Sequence, residues 1–287
     1  MDTRWTWAGA GAILIALAAW LLSSDALEAS DVERRLSDAH FEQTPFGMTM
    51  PDAWQAELQS AIDRAPEVSL LDPAAPSIAA EVLRSVSWIQ PESVKAELVM
   101  PDGIQLEYYP RQARFLLVQA GGPVGVLSAD GCVLPDGLPA DLKGQLIQVE
   151  LEAGDVLPAA GRQLSSRIAQ EALRVFFEVV AIEEAAKLRV VRIRPMATVP
   201  GVIRSTAPGL RLVLDDGREL DWGRSDLSSS ADEPSSEEKA ARLGSVMRQY
   251  PRLAGVQAVV LYHKTETLVL DNNYQQLPFD GVVLRPR

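Results

Sequence analysis

Chemistry in this chain of 287 residues would have to come from a small set of side chains. The two histidines, His40 and His263, stand far apart in sequence, a poor basis for an imidazole-built metal or catalytic cluster. The one cysteine, Cys132, lies in an apolar stretch without a basic neighbour to lower its pKa, and reads as a buried, inert thiol. Alone it can form no internal disulfide, so it says nothing about compartment. Asp215-Asp216 offers paired carboxylates, the raw material of acid–base work. Gly217 follows, however, and alternating leucines flank the pair, which makes it an exposed hairpin turn. Gly121-Gly122-Pro123-Val124-Gly125 has the glycines of a phosphate cradle, but no helical pattern follows it, and it reads as a turn. Arg189, Arg192 and Arg194 could meet anionic lipid or an acidic partner; in so acidic a chain they read as a solvated strand face. The sequence therefore points to no catalytic residue, no cofactor and no metal ligand.

Composition narrows the classes further. A formal net charge of −12 argues against a nucleic-acid surface, which needs clustered Lys and Arg. Apolar residues make up 47% and charged residues 23%, as in an ordinary globular protein, and the length allows two modest domains and a tail.

The elements that must position these residues begin with Trp5–Ser24, which carries no charge and is about as long as a helix crossing a bilayer. Trp5, Trp7 and Trp20 sit near its ends, where indoles favour the interface. Its six Leu and Ile residues contribute roughly −2 to −3.5 kcal/mol on the insertion scale. Two readings stay open: an uncleaved anchor after a tail of residues 1–4, or a signal peptide cut near Ser24-Asp25-Ala26. Either way, most of the chain is expected to be exported. Residues 25–48 form a polar linker. Thr49-Met50-Pro51-Asp52 then opens a helix with Trp54, Leu58 and Ile62 on one face, and Pro76 opens a second with Ile78, Ala79, Val82 and Val86. Val94, Ala96, Leu98 and Met100 alternate, as do Ile104, Leu106 and Tyr108 beyond Pro101-Asp102-Gly103. This is a β-hairpin with one buried face, and Trp88 is expected where the second helix meets it.

Helix, helix, an apolar-aromatic pair (Trp88-Ile89) and a hairpin with Pro at its turn resemble a POTRA domain, and more narrowly the FtsQ/DivIB family of bacterial cell-division proteins. Pro110-Arg111-Gln112-Ala113 stands where the family has Glu-Arg-x-Pro, keeping the Arg alone. Ala129-Asp130-Gly131, Leu138-Pro139 and Gly144 resemble the family's passage into its next domain. Leu220-Asp221-Trp222-Gly223, Lys239, Leu243 and Leu261-Tyr262-His263 resemble features of its second domain. The inner tail is shorter than is usual there, and the polar insert longer. The resemblance implies an α+β chain: a membrane helix, a POTRA-like domain at 49–135, and a mixed α/β domain with an antiparallel sheet at 140–271, then a tail at 272–287. It also implies a single-pass protein of the cytoplasmic membrane, with its domains on the periplasmic side and recruited to the septum.

Within the second domain the residues themselves predict a strand at Leu146–Leu151, a helix carrying Ile168, Ala172, Leu173, Phe176, Val179 and Val180, and a strand at Leu188–Ile193. Leu210, Leu212 and Leu214 form a further strand, with Leu220 and Trp222 beyond its turn. Residues 225–238 form an acidic, Ser-rich insert expected to be mobile. It ends in a capping box, Ser235 with Glu238. A hairpin or long bent strand runs from Val256 to Leu270. In the family the late strand is an edge to which a partner adds its own strand; the resemblance places this at 259–274, with Leu261, Tyr262, Leu268, Leu270 and Tyr274 as partner-binding residues. Folding back of 272–283 onto that strand is the alternative. The function expected is a divisome scaffold without catalysis that binds other division membrane proteins. An exported adaptor for secretion or outer-membrane assembly is the runner-up, and an enzyme using Asp and Ser comes third.

Overall fold

The computed structural model describes residues 50–66, 72–99, 103–182, 188–196, 209–229 and 233–279, and the backbone of Ile13–Ala16, Glu33–Arg34 and Val68–Ser69. The fold is mixed α+β, with one large, mostly antiparallel sheet and few helices. Two compact units divide it: Met1–Gln112 with Leu134–Ala140 and Ala160–Arg162, and the remainder from Ala113 onward.

The first unit contains strands β1 (Ile13–Ala16), β2 (Glu33–Arg34) and β3 (Val68–Ser69), helices α1 (Asp52–Asp63) and α2 (Ala75–Arg84), and strands β4 (Lys95–Val99) and β5 (Gly103–Tyr108). Pro51 precedes α1 and Asp52 sits in its first turn, where a carboxylate meets the positive end of the helix dipole. The i, i+4, i+8 spacing of Trp54, Leu58 and Ile62 buries all three. Pro76 stands at the start of α2, where a missing N–H costs nothing. β4 and β5 pair antiparallel, with Ala96 opposite Leu106 and Leu98 opposite Ile104, as the alternation predicts. The sheet order is β1-β5-β4. Trp88 is wholly buried, stacked on Trp54 at 5.4 Å and edge-on to Tyr108 at 5.9 Å, with its Nε1 donating to the Trp54 carbonyl at 3.1 Å. Arg111 closes the far side: its backbone N–H donates to the Trp88 carbonyl and its Nε to the Ser87 carbonyl. The turn at 100–102 and all of the linker at 25–48 except Glu33–Arg34 lie outside the described residues. Within Trp5–Ser24 only Ile13–Ala16 is described, as a strand beside β5.

The second unit carries β6 (Ala113–Gln119), β7 (Gly122–Ser128), β8 (Val133–Leu134), the short helix α3 (Ala140–Lys143), β9 (Ile147–Glu150), α4 (Arg167–Val180), β10 (Val190–Pro195), β11 (Leu210–Leu214), β12 (Glu219–Gly223), α5 (Ser236–Gln249), β13 (Ala258–Val260) and β14 (Leu268–Leu270). The nine strands run in the order β14-β13-β12-β11-β10-β9-β6-β7-β8. Pairs β6·β9, β9·β10 and β12·β13 are parallel. The last two follow from crossovers through α4 and α5, since parallel neighbours cannot be joined by a tight turn. Period two sends Leu210, Leu212, Leu214, Leu220, Trp222, Val259 and Val269 into one core with Ile168, Ala172, Val175 and Val179 of α4 and Leu243 and Val246 of α5.

Two expectations are corrected. The first domain was expected to run through residue 135, but β6 and β7 belong to the second unit: β6 pairs with β9, and Phe115 and Leu117 enter the core beside α4. A short apolar run marks a strand without naming its sheet. The apolar stripe of α4 is also narrower than expected, since Val180 is exposed.

Candidate functional site

The sheet of the second unit has one apolar face under α4 and α5. The intervening residues of β10 to β12 build the opposite face from charges. Arg194 meets Glu219 at 2.5 Å, Arg211 meets Glu219 at 2.8 Å, and Arg211 also grips both carboxylate oxygens of Asp221. Arg192 reaches Gln148 and Glu150 on β9. Period two alone puts Arg211, Glu219 and Asp221 opposite the leucines of their own strands, so this ladder is readable from sequence once the strand order is known. The three arginines expected as a basic strand face are thus two ladder members, Arg192 and Arg194, while Arg189 lies just before β10. Hydrogen bonding to Asp221 raises the Arg211 pKa further.

The ladder leads toward the late strands, where the expected partner-binding residues divide into three groups. Leu261 is fully buried in the core, because it shares the inward face of Val259; it is a packing residue, not a partner contact. Tyr262 is half-buried, with its hydroxyl pKa raised by burial and then by Asp221; its ring lies tilted against that of His263, centroids 4.4 Å apart. Leu268 and Leu270 are half-buried, and on β14 they alternate with the buried Val269. Tyr274 is 54% exposed at the tip of the turn, with φ of 56°. Gly223, at φ of 83°, passes so close to Tyr262 that an added Cβ would lie 2.5 Å from the tyrosine Cβ. Any side chain there would push the tyrosine away.

β14 ends the nine-stranded sheet, and the chain then folds back on it. Asp271 N–H donates to the Gln275 carbonyl at 2.9 Å, Leu277 N–H donates to the Val269 carbonyl at 2.7 Å, and Leu270 bridges Gln276. The folding-back alternative is therefore what residues 275–277 do; residues 280–283 lie outside the described residues. The Pro278 carbonyl accepts from Gln249 Nε2 at 3.0 Å and from the Tyr250 hydroxyl, which ties the return segment to the end of α5. Arg242 of α5 donates to the carbonyls of His263 and Lys264 and fixes the loop between β13 and β14.

The acidic insert is ordered where it is described. Ser225 N–H donates to Glu171 at 2.5 Å, Asp226 N–H to Glu178 at 2.7 Å, Arg224 N–H to Glu233 at 3.0 Å and Ser236 N–H to Asp226 at 2.6 Å. Four carboxylates thus accept backbone donors of this strap. Lys239, wholly buried, donates to the Arg224 carbonyl at 2.6 Å, lies 3.7 Å from Glu233 and faces the Trp222 ring. Burial lowers the Lys239 pKa and raises that of Glu178. The composition that suggested mobility is the strap's own fastening, which the carboxylates of α4 complete from a distance in sequence. The capping box of Ser235 and Glu238 forms as expected.

Cys132 is buried, and Asp215 and Asp216 sit in the exposed β11–β12 turn, with Asp216 held below its usual range by Arg218. His40 lies outside the described residues. Among the described residues no group of three or more His, Cys, Asp or Glu side chains is placed to hold a metal ion, and no helix is long and apolar enough to cross a membrane. No family model and no curated protein matches this sequence.

Proposed function

We propose that this chain is a membrane-anchored scaffold of the FtsQ/DivIB kind, which holds other division proteins by accepting a strand at the late edge of its large sheet. The observation that carries the proposal is the end of the strand order at β14. There Leu268 and Leu270 are half-buried, and Tyr274 stands exposed at the tip of the return turn. Strand addition draws affinity from backbone hydrogen bonds and selectivity from the side chains beside them. The helix–helix–hairpin unit, followed by a β-rich unit, supports a POTRA-like domain in that position. Among the described residues the return segment 275–277 is the outermost chain on this edge, and alternation turns the Gln276 peptide outward. A partner strand pairs there or replaces the return segment.

Pull-downs from membranes test this. Gln276→Pro, which removes an outward donor at an exposed position, is expected to reduce partner capture, as is joint replacement of Tyr262, Leu268 and Tyr274 by polar residues. Recovery of the same partners with the triple replacement would place the binding edge elsewhere. A fluorescent fusion that fails to gather at the septum would exclude the division reading.

A further inference from the structure

The small sheet of the first unit has an edge of its own. Its order is β1-β5-β4, so β4 is an outermost strand. Among the described residues no strand pairs with its outer side from Lys95 to Leu98: Lys95 and Glu97 are exposed, and Leu98, a large apolar residue, is 41% exposed, while Arg84 reaches the Val94 carbonyl where the edge begins. Ala96 and Leu98 lie opposite Leu106 and Ile104, both buried, which puts them on the face toward the helices. Lys95 and Glu97 lie opposite Glu107 and Gln105, on the other face.

Exposed edges normally carry charge that repels a second strand. Here the charges are arranged the other way. Val94-Lys95-Ala96-Glu97-Leu98, run backwards, keeps its apolar positions and inverts its charges. We propose that β4 joins two copies of this chain, antiparallel, about a two-fold axis through Ala96. Lys95 then lies opposite the partner's Glu97 on both sides of the axis, and Val94 opposite the partner's Leu98. Each Leu98 loses exposure where it meets the partner's Val94. Lys95, already 3.9 Å from Glu107 of its own chain, sits between two carboxylates. The neighbouring registers fail. A slip of one residue sets the polar face of one copy against the apolar face of the other. The registers on either side of that place Lys95 opposite Lys95, or Glu97 opposite Glu97, and directly opposed like charges destabilise a pair. One register remains, and a closed two-fold contact is the commonest way for a chain to associate with itself.

The test is a charge-swap cycle on the full chain in density-matched detergent, read by sedimentation equilibrium. Lys95→Glu alone and Glu97→Lys alone each set like charges opposite one another twice. Each is expected to weaken self-association by about tenfold. The double swap restores opposite charges and should return to within about threefold of the native chain. Ala96→Cys adds a test of register. Across such a pair the Cα atoms are about 4.5–5.5 Å apart, within disulfide reach, so the variant should cross-link through the introduced thiol on oxidation. The chain's own Cys132 is buried and contributes no background. A native chain that stays monomeric overturns the proposal. So do single swaps without effect, a double swap that does not recover, or a thiol at position 96 that cross-links equally well in the Lys95→Glu background.

Discussion

At the scale of single residues, Trp88 and Glu178 are tied to their surroundings in opposite ways. Trp88 is fully enclosed, stacks on Trp54 and donates to its carbonyl. Trp88→Ala should lower the unfolding free energy by about 3–5 kcal/mol, because the emptied volume closes only in part. Glu92→Ala, at an exposed position of the same unit, should stay within about 0.5 kcal/mol. Equal shifts in urea denaturation would mean that Trp88 is not the centre of this core. Glu178 is a group at odds with its place: burial raises its pKa above the usual 4.5, although Asp226 N–H and Trp222 Nε1 both donate to it. Its raised folded pKa means that the folded state retains a proton which the unfolded state releases as pH rises past 4.5. Its contribution to stability is therefore best below that pH and declines toward neutrality. Glu178→Gln removes this dependence. The stability of the native chain relative to the variant should fall as pH rises from 4 toward 7. A difference that stays flat or grows over that range would contradict the assignment. Trp88 was legible in the sequence because an aromatic at the mouth of a hairpin has few other uses. Glu178 was not, because its partners, the Trp222 indole and the Asp226 backbone N–H, lie 44 and 48 positions away.

At the scale of elements, the loop between β13 and β14 owes its position to α5. Arg242 donates to the carbonyls of His263 and Lys264, and burial lowers its pKa. Hydrogen bonds from a charged donor contribute about 1.5–3 kcal/mol. Arg242→Ala should therefore speed hydrogen exchange in the β13–β14 loop by about tenfold or more, while the amides of β11 keep their protection. Uniform acceleration throughout the sheet would mean that the arginine supports the whole unit and not one loop. The N-terminus of the same helix is simpler. Ser235→Ala removes one half of the capping box and should cost about 1 kcal/mol in chemical denaturation. These two features show where sequence reading succeeds and where it stops. A cap is written within four residues, and the alternation of Leu210, Leu212 and Leu214 within five; both were readable. Arg242 reaches across more than twenty positions to carbonyls, which carry no sequence signature. The same limit misplaced β6 and β7, whose sheet is decided by the distant β9. It also hid the strap, whose acidic composition mimics a mobile linker until Glu171 and Glu178 are seen to hold it.

At the scale of the whole molecule, the uncharged run Trp5–Ser24 has two mutually exclusive uses. As a membrane helix it would give the proposed scaffold its anchor and leave both units exported. As β1, Ile13–Ala16 pairs with β5 in register from Ile13 opposite Tyr108 to Ala16 opposite Gln105. The two arrangements exclude each other in one molecule, since residues inside a bilayer cannot also extend the sheet of an exported unit. The energetics decide little. The six Leu and Ile residues of the run favour insertion by only roughly 2–3.5 kcal/mol, and a single short strand pair gains a comparable amount from its cross-strand contacts. The backbone separates them: a helix satisfies every interior peptide group within itself, which a bilayer demands, whereas a strand such as β1 depends on neighbouring strands for its hydrogen bonds. The anchor reading therefore predicts that the chain stays in the membrane pellet after carbonate washing, with Trp5 still present in the mature protein. Release by carbonate with the terminus intact would favour the strand. Release with a new terminus at Leu27 would identify a cleaved signal peptide and leave the mature chain without this tether.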